Sequence, residues 1–172
     1  MSSNKKLLIL PGDGIGPEVM NQTKTIIDWM VKNKTLSFNI SEKLVGGTAY
    51  DKEGDSISDA TMAEAKEADA VLFGAVGGPK WDNVEREKRP EAALLKLIKE
   101  LDLFANLRPA IVFDPLINSS SLKPEIIKGL DILILRELTS GVYFGKPRGI
   151  EMLNGEERAV DTQSYTKKEI IK

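Results

Sequence analysis

Apolar and polar positions along the chain follow two alternating periods. Residues 7–10, Leu-Leu-Ile-Leu, form the short continuous apolar run of a buried strand. Pro-Gly-Asp-Gly-Ile-Gly-Pro-Glu-Val follows as a turn that opens a helix with Pro17 at its start. Val19, Met20, Thr23, Ile26, Ile27 and Met30 then carry the helical period. Leu36, Phe38 and Ile40 alternate with polar residues, the two-residue period of a half-buried strand. Gly46-Gly47 and residues 51–55 read as loop. Ser58 is placed to cap an alanine-rich helix over residues 59–68, which stops before an apolar strand over 70–76. Strand, helix, strand, helix, strand predicts an α/β fold whose parallel sheet carries helices on its faces.

The second half is less regular. Behind Pro90, residues 92, 95, 98 and 101 recur as an apolar stripe with Leu94 and Leu97 beside them, predicting a helix. Residues 103–113 read as a strand interrupted by Arg108-Pro109, and 130–135 as a second apolar strand ending in Arg136-Glu137. A turn-rich connection and one or two helical turns from Pro124 separate them. Asn154-Gly155 supplies the two positive-φ positions of a type I′ hairpin. Thr166 and Glu169 have the spacing of a capping box, and a helix that ends within two turns of its cap reads as truncated.

Charge and composition narrow the chemistry. Twenty-four Lys and Arg stand against 26 Asp and Glu among 172 residues, a balance that gives no field for nucleic acid. With neither cysteine nor histidine, thiolate nucleophiles, Ser-His triads and histidine-ligated metals are excluded, which leaves Lys, Tyr, Arg, Asp and Glu. The apolar run at 7–10 is too short for a signal-peptide core or a membrane span, so a cytoplasmic protein is expected.

Taken by themselves, the candidate residues support modest roles. Gly12, Gly14 and Gly16 are spaced G-x-G-x-G rather than as the dinucleotide fingerprint, and a tight turn accounts for them. Gly77-Gly78-Pro79-Lys80-Trp81 follows the third strand at the end where α/β proteins bind ligands, yet equally suits a surface turn. Arg108 offers a fork for a carboxylate. Arg136-Glu137 reads as a strand-end ion pair and Tyr143 as an interior aromatic.

Four motifs in register, PGDGIGPEV, GAVGGPKWD, DLFANLRPA and RELTSGVYFGKPRG, change that picture. Together they resemble the 3-isopropylmalate dehydrogenases of the isocitrate/isopropylmalate dehydrogenase family, over about the first half of such an enzyme. The resemblance implies a parallel or mixed sheet with flanking helices that is not a Rossmann fold. It divides the chain into part of a cofactor-side domain, 1–102, and the beginning of a dimerisation and substrate domain, 103–172. It implies NAD contacts at Ile15, Gly77, Gly78, Pro79, Lys80 and Glu91. Substrate contacts fall at Arg108, Arg136, Leu94 and Leu95, with Tyr143 catalytic. Mg²⁺ or Mn²⁺ is implied too, with its ligands beyond residue 172, as is a homodimer built through the hairpin. The implied reaction is oxidative decarboxylation of 3-isopropylmalate in leucine biosynthesis, without a nucleic-acid or membrane partner. One position departs: Ile98 stands where the family carries a third substrate arginine, so a site that is weakened, re-specialised for another acid or no longer in use is expected. Isocitrate or tartrate oxidation, and a non-catalytic fragment, are the alternatives.

Overall fold

The structure, a computed structural model, describes residues 4–33 and 37–171. Leu36, assigned from its sequence to the second strand, lies outside them. The chain divides into two compact units, residues 1–101 and 102–172.

In the first unit, β1 (Lys5–Gly12) is the central strand of a three-stranded parallel sheet, flanked by β2 (Phe38–Glu42) and β3 (Ala70–Ala75) in the order β2-β1-β3. Its central place explains the continuous apolar run: Leu8, Ile9 and Leu10 are fully buried. β2 is an edge strand, and there the expected alternation fails. Phe38 is half-buried, but Ile40 is 41% exposed.

Helices α1 (Gly16–Asn33), α2 (Gly47–Glu53), α3 (Asp59–Glu67) and α4 (Pro90–Glu100) complete the unit. Ser58 caps α3 as its sequence predicts, its hydroxyl accepting from the Thr61 N–H. The helix α2 corrects the sequence reading of this stretch as loop. It is seven residues long and starts at paired glycines, so no apolar period announces it. The stripe on α4 is also rotated from the expected one. Pro90, Ala93, Leu97 and Ile98 are buried while Leu94 is 40% exposed. Leu8, Leu10, Val45, Ile57, Met62 and Leu97 meet in one core cluster. Each such side chain contributes about 1.5–3 kcal/mol by leaving water.

The second unit contains two antiparallel ladders. β4 (Ala105–Ile111) pairs with β5 (Asp131–Glu137), and β6 (Gly149–Leu153) with β7 (Glu156–Val160). The turn between β6 and β7 has positive φ at Asn154 and Gly155, 54° and 87°, as a type I′ turn requires. Between β4 and β5 lie a 3₁₀ turn, Asp114–Ser119, and α5 (Pro124–Ile127). The capping box forms at α6 (Lys167–Ile171): the Thr166 N–H donates to Glu169 Oε2 at 2.6 Å, and the Glu169 N–H to Thr166 Oγ1 at 3.2 Å. Burial differs sharply between the units. Of the described apolar residues in 102–172, Ile127 is the one that is buried in the core sense.

Candidate functional site

Parallel strands direct their carboxyl ends to one rim, and the connections leaving β1 and β3 meet there because Gly12 is paired with Ala75. The turn after β1 holds Asp13, which is 3% exposed. Both of its carboxylate oxygens are occupied. Oδ2 accepts from the N–H groups of Gly47 at 2.7 Å and Gly77 at 3.1 Å, and Oδ1 from the N–H and hydroxyl of Thr48 at 2.7 and 2.8 Å. A buried carboxylate costs several kcal/mol unless it is so satisfied. Here it ties the start of α2 to the loop that follows β3.

A second aspartate fastens the same loop from outside. Asp51 on α2 accepts from Lys80 Nζ at 2.5 Å and from Trp81 Nε1 at 3.1 Å, while Lys80 lies 5.3 Å from the indole centroid. The hydrogen bonds from Lys80 and then Trp81 hold Asp51 below its ordinary value of 3.8. The clamp is therefore fully present above that pH and lost only as the pH falls through the lowered value. Pro79–Trp81 makes a 3₁₀ turn, and Arg86–Lys88 makes another.

The expected cofactor residues of this unit are only partly assembled. Ile15 is 63% exposed at the rim. Gly77 and Glu91 are neighbours: a Cβ on Gly77, whose φ is 111°, would stand 2.7 Å from Glu91 Oε1. Gly78, Pro79 and Lys80 are exposed on the loop pinned by Asp13 and Asp51. On α4, the turn-by-turn spacing of Glu91, Leu94, Leu95 and Ile98 puts them along one side. Leu95 is half-buried and Ile98 is 8% exposed.

In the second unit, Arg108 is opposite Ile134 and Arg136 opposite Asn106, so both arginines share one face of the β4–β5 ladder as diagonal neighbours. Arg108 Nε donates to Asn106 Oδ1 at 2.7 Å. Arg136 donates to the Tyr143 hydroxyl, and its guanidinium carbon lies 5.3 Å from the centre of that ring. Tyr143 is 42% exposed rather than interior. Glu137 is engaged locally rather than with Arg136. Burial raises its pKa, but hydrogen bonds from Thr139 and Ser140 outweigh that and leave it lowered.

Asp13, Thr48 and Asp51 escaped sequence reasoning. An acid flanked by glycines in a strand-to-helix turn was a signal for Asp13, but its partners lie 34 to 64 residues away. Among the described residues, no group of three or more His, Cys, Asp or Glu could hold a metal ion. No described helix is long and apolar enough to cross a membrane.

Residues 6–172 match the isocitrate/isopropylmalate dehydrogenase family, and the chain belongs to that family of α/β dehydrogenases. It is 58% identical over 169 residues to the 3-isopropylmalate dehydrogenase of Pelagibacter ubique, covering 98% of this chain and 46% of that protein. Against the enzyme of the same name from Nitrobacter winogradskyi the identity is 61% over 166 residues, covering 96% and 45%. The chain thus spans about half the length of the curated relatives it matches. Isocitrate dehydrogenase from Methylococcus capsulatus shares the fold, with a TM-score of 0.74 at 23% identity over 96% of this chain and 44% of that one. The apo β-decarboxylating dehydrogenase from Thermococcus kodakarensis gives 0.63 at 28% identity, over 96% and 42%.

Proposed function

We propose that the complete protein oxidises 3-isopropylmalate with NAD and decarboxylates it to 4-methyl-2-oxopentanoate, a step of leucine biosynthesis in the cytoplasm. The observation that carries this reading is the pair of guanidiniums on one face of β4–β5, with the Tyr143 phenol bound to one of them. The curated relatives' names support it.

Arg108 and Arg136 hold the substrate carboxylates, each by a planar fork, and so align the hydroxyl-bearing carbon. Leu94 and Leu95 form the apolar wall for the isopropyl group. They offer no donor to a further carboxylate, which disfavours isocitrate and tartrate. Tyr143 holds a proton at its hydroxyl oxygen for the enol that remains once carbon dioxide has left. The residues on the first unit's rim fit a dinucleotide. Gly77 leaves room for Glu91 beside it, Ile15 presents an apolar surface, and the 77–81 loop is held in place from two sides. When bound, NAD supplies the hydride acceptor. The resemblance puts the ligands for Mg²⁺ or Mn²⁺ beyond residue 172; among the described residues no group of three or more His, Cys, Asp or Glu could hold such an ion. A homodimer through the β6–β7 hairpin is supported by Ile150 and Met152, on one side of β6 and 76% and 65% exposed.

The test uses a completed enzyme in which residues 1–172 are followed by the remainder of the Nitrobacter winogradskyi relative. NADH should form from 3-isopropylmalate in a metal-dependent way, and turnover of isocitrate alone would reject the reading. In the same protein, Ile98→Arg is expected to lower the KM for 3-isopropylmalate by adding a third carboxylate contact. Because Ile98 is covered, the melting temperature should fall as well. Steady-state kinetics and calorimetry check both halves; an unchanged KM would show that position 98 does not reach the substrate.

A further inference from the structure

We infer that Asp13 is a positioning residue for the dinucleotide cradle, its carboxylate acting as a built-in anion that sets the spacing between the start of α2 and the 77–81 loop. This rests on the cofactor reading above for Ile15, Gly77–Lys80 and Glu91.

The geometry separates this role from ordinary structural burial. Three backbone N–H groups and one hydroxyl from two distant segments converge on one carboxylate, two donors on each oxygen. Such a ring of amides would otherwise recruit an anion from solution. The surrounding chain is shaped to the carboxylate. A Cβ on Gly46 would lie 2.4 Å from Asp13 Oδ2, and one on Gly47 would lie 2.1 Å from the Trp81 indole. The Asp13 N–H donates to the Ala75 carbonyl at 2.6 Å, so its own position is fixed by β3. A displacement of the carboxylate would therefore move Gly77, and with it the residue beside Glu91. Ile15, two residues on, belongs to the same turn.

The choice of acid over amide follows from donor counting. In an Asn side chain one of the two terminal atoms becomes an NH₂ donor. Either orientation points that donor at backbone N–H groups, so Asp13→Asn loses the charge and also opposes donor with donor. Thr48 provides the milder probe. Thr48→Val removes one hydroxyl donor while keeping the shape, and Thr48→Ser retains the donor.

The experiment measures the Kd for NAD without substrate, by fluorescence titration of the completed enzyme, together with KM and kcat. Asp13→Asn is expected to weaken NAD binding about tenfold or more and Thr48→Val about threefold, while Thr48→Ser stays near the parent. The KM for 3-isopropylmalate at saturating NAD should move much less than the NAD constants. If Asp13→Asn does not fold, the Thr48 pair decides. Equal NAD affinities for parent, Thr48→Val and Thr48→Ser would overturn the inference, whatever happens to the melting temperature. A parent that binds NAD but does not oxidise 3-isopropylmalate would reject the functional reading and leave this inference to the variants. A parent that binds no NAD would overturn both.

Discussion

Residues 1–172 expressed alone are expected to form no NADH from 3-isopropylmalate and to unfold without a sharp transition. The surface area supports the second expectation. Two separate compact domains of these sizes would together expose about 10,000 Å², whereas this chain exposes 12,347 Å². Most of the exposed large apolar side chains lie in the second unit. Leu107, Leu133 and Leu135 are 60%, 62% and 65% exposed on one face of β4–β5, and Ile132 and Ile134 are 48% and 49% exposed on the other. An isolated two-stranded ladder is marginal in water. With Ile127 as its one buried apolar residue among those described, the second unit has almost no burial to set against the entropy of ordering its chain. Loss of activity has a separate ground: the relatives the chain matches are about twice its length, and under the proposed reading proton donation from Tyr143 alone would be worth about 10²–10⁴ in rate. The measurements are NADH absorbance, a calorimetric scan and binding of a hydrophobic dye. A cooperative melt with metal-dependent turnover would overturn both expectations. Joining residues 1–172 to the remainder of the Nitrobacter winogradskyi relative should give both properties together.

What could be read from the chain depended on how local the cause was. β1 and α1 announce themselves through a four-residue apolar run and a proline after it. The Ser58 cap, the Asn154-Gly155 turn and the Thr166–Glu169 box are settled by interactions within four residues, and all three formed as expected. α2 did not show because its reason is tertiary. Gly47 lies against Trp81, 34 residues later in the chain, and the first two amides of the helix end on Asp13. The face of α4 was misplaced because both sides of that helix carry leucines, and only the location of the core at Leu8, Ile57 and Met62 selects Ala93 and Leu97. Arg136 was legible as a substrate candidate only through motif resemblance, whereas Arg108 was also marked by its guanidinium fork. Their shared face follows from the antiparallel register of β4 and β5, which no local pattern specifies.

Tyr143→Phe in the completed enzyme is expected to lower kcat by about 10²–10⁴-fold while the KM for 3-isopropylmalate changes little. The argument starts from the hydrogen bond between Arg136 and the phenol. A guanidinium only donates, so the Tyr143 oxygen must accept from it, and the phenolic O–H is left to point elsewhere. Tyr143 is 42% exposed, which is compatible with a substrate reaching that proton. Phenylalanine keeps the ring against the Arg136 guanidinium, preserving the cation–π contact seen at 5.3 Å, but removes the proton. Arg136→Lys should behave in the opposite sense. It leaves the phenol in place and loses the fork, so its main effect falls on the KM, at roughly 10- to 150-fold for one charge-assisted contact. The pair of variants therefore separates holding the substrate from donating the proton. Equal losses in kcat and KM for both would show that the two side chains act only as a single packed unit and that Tyr143 delivers no proton.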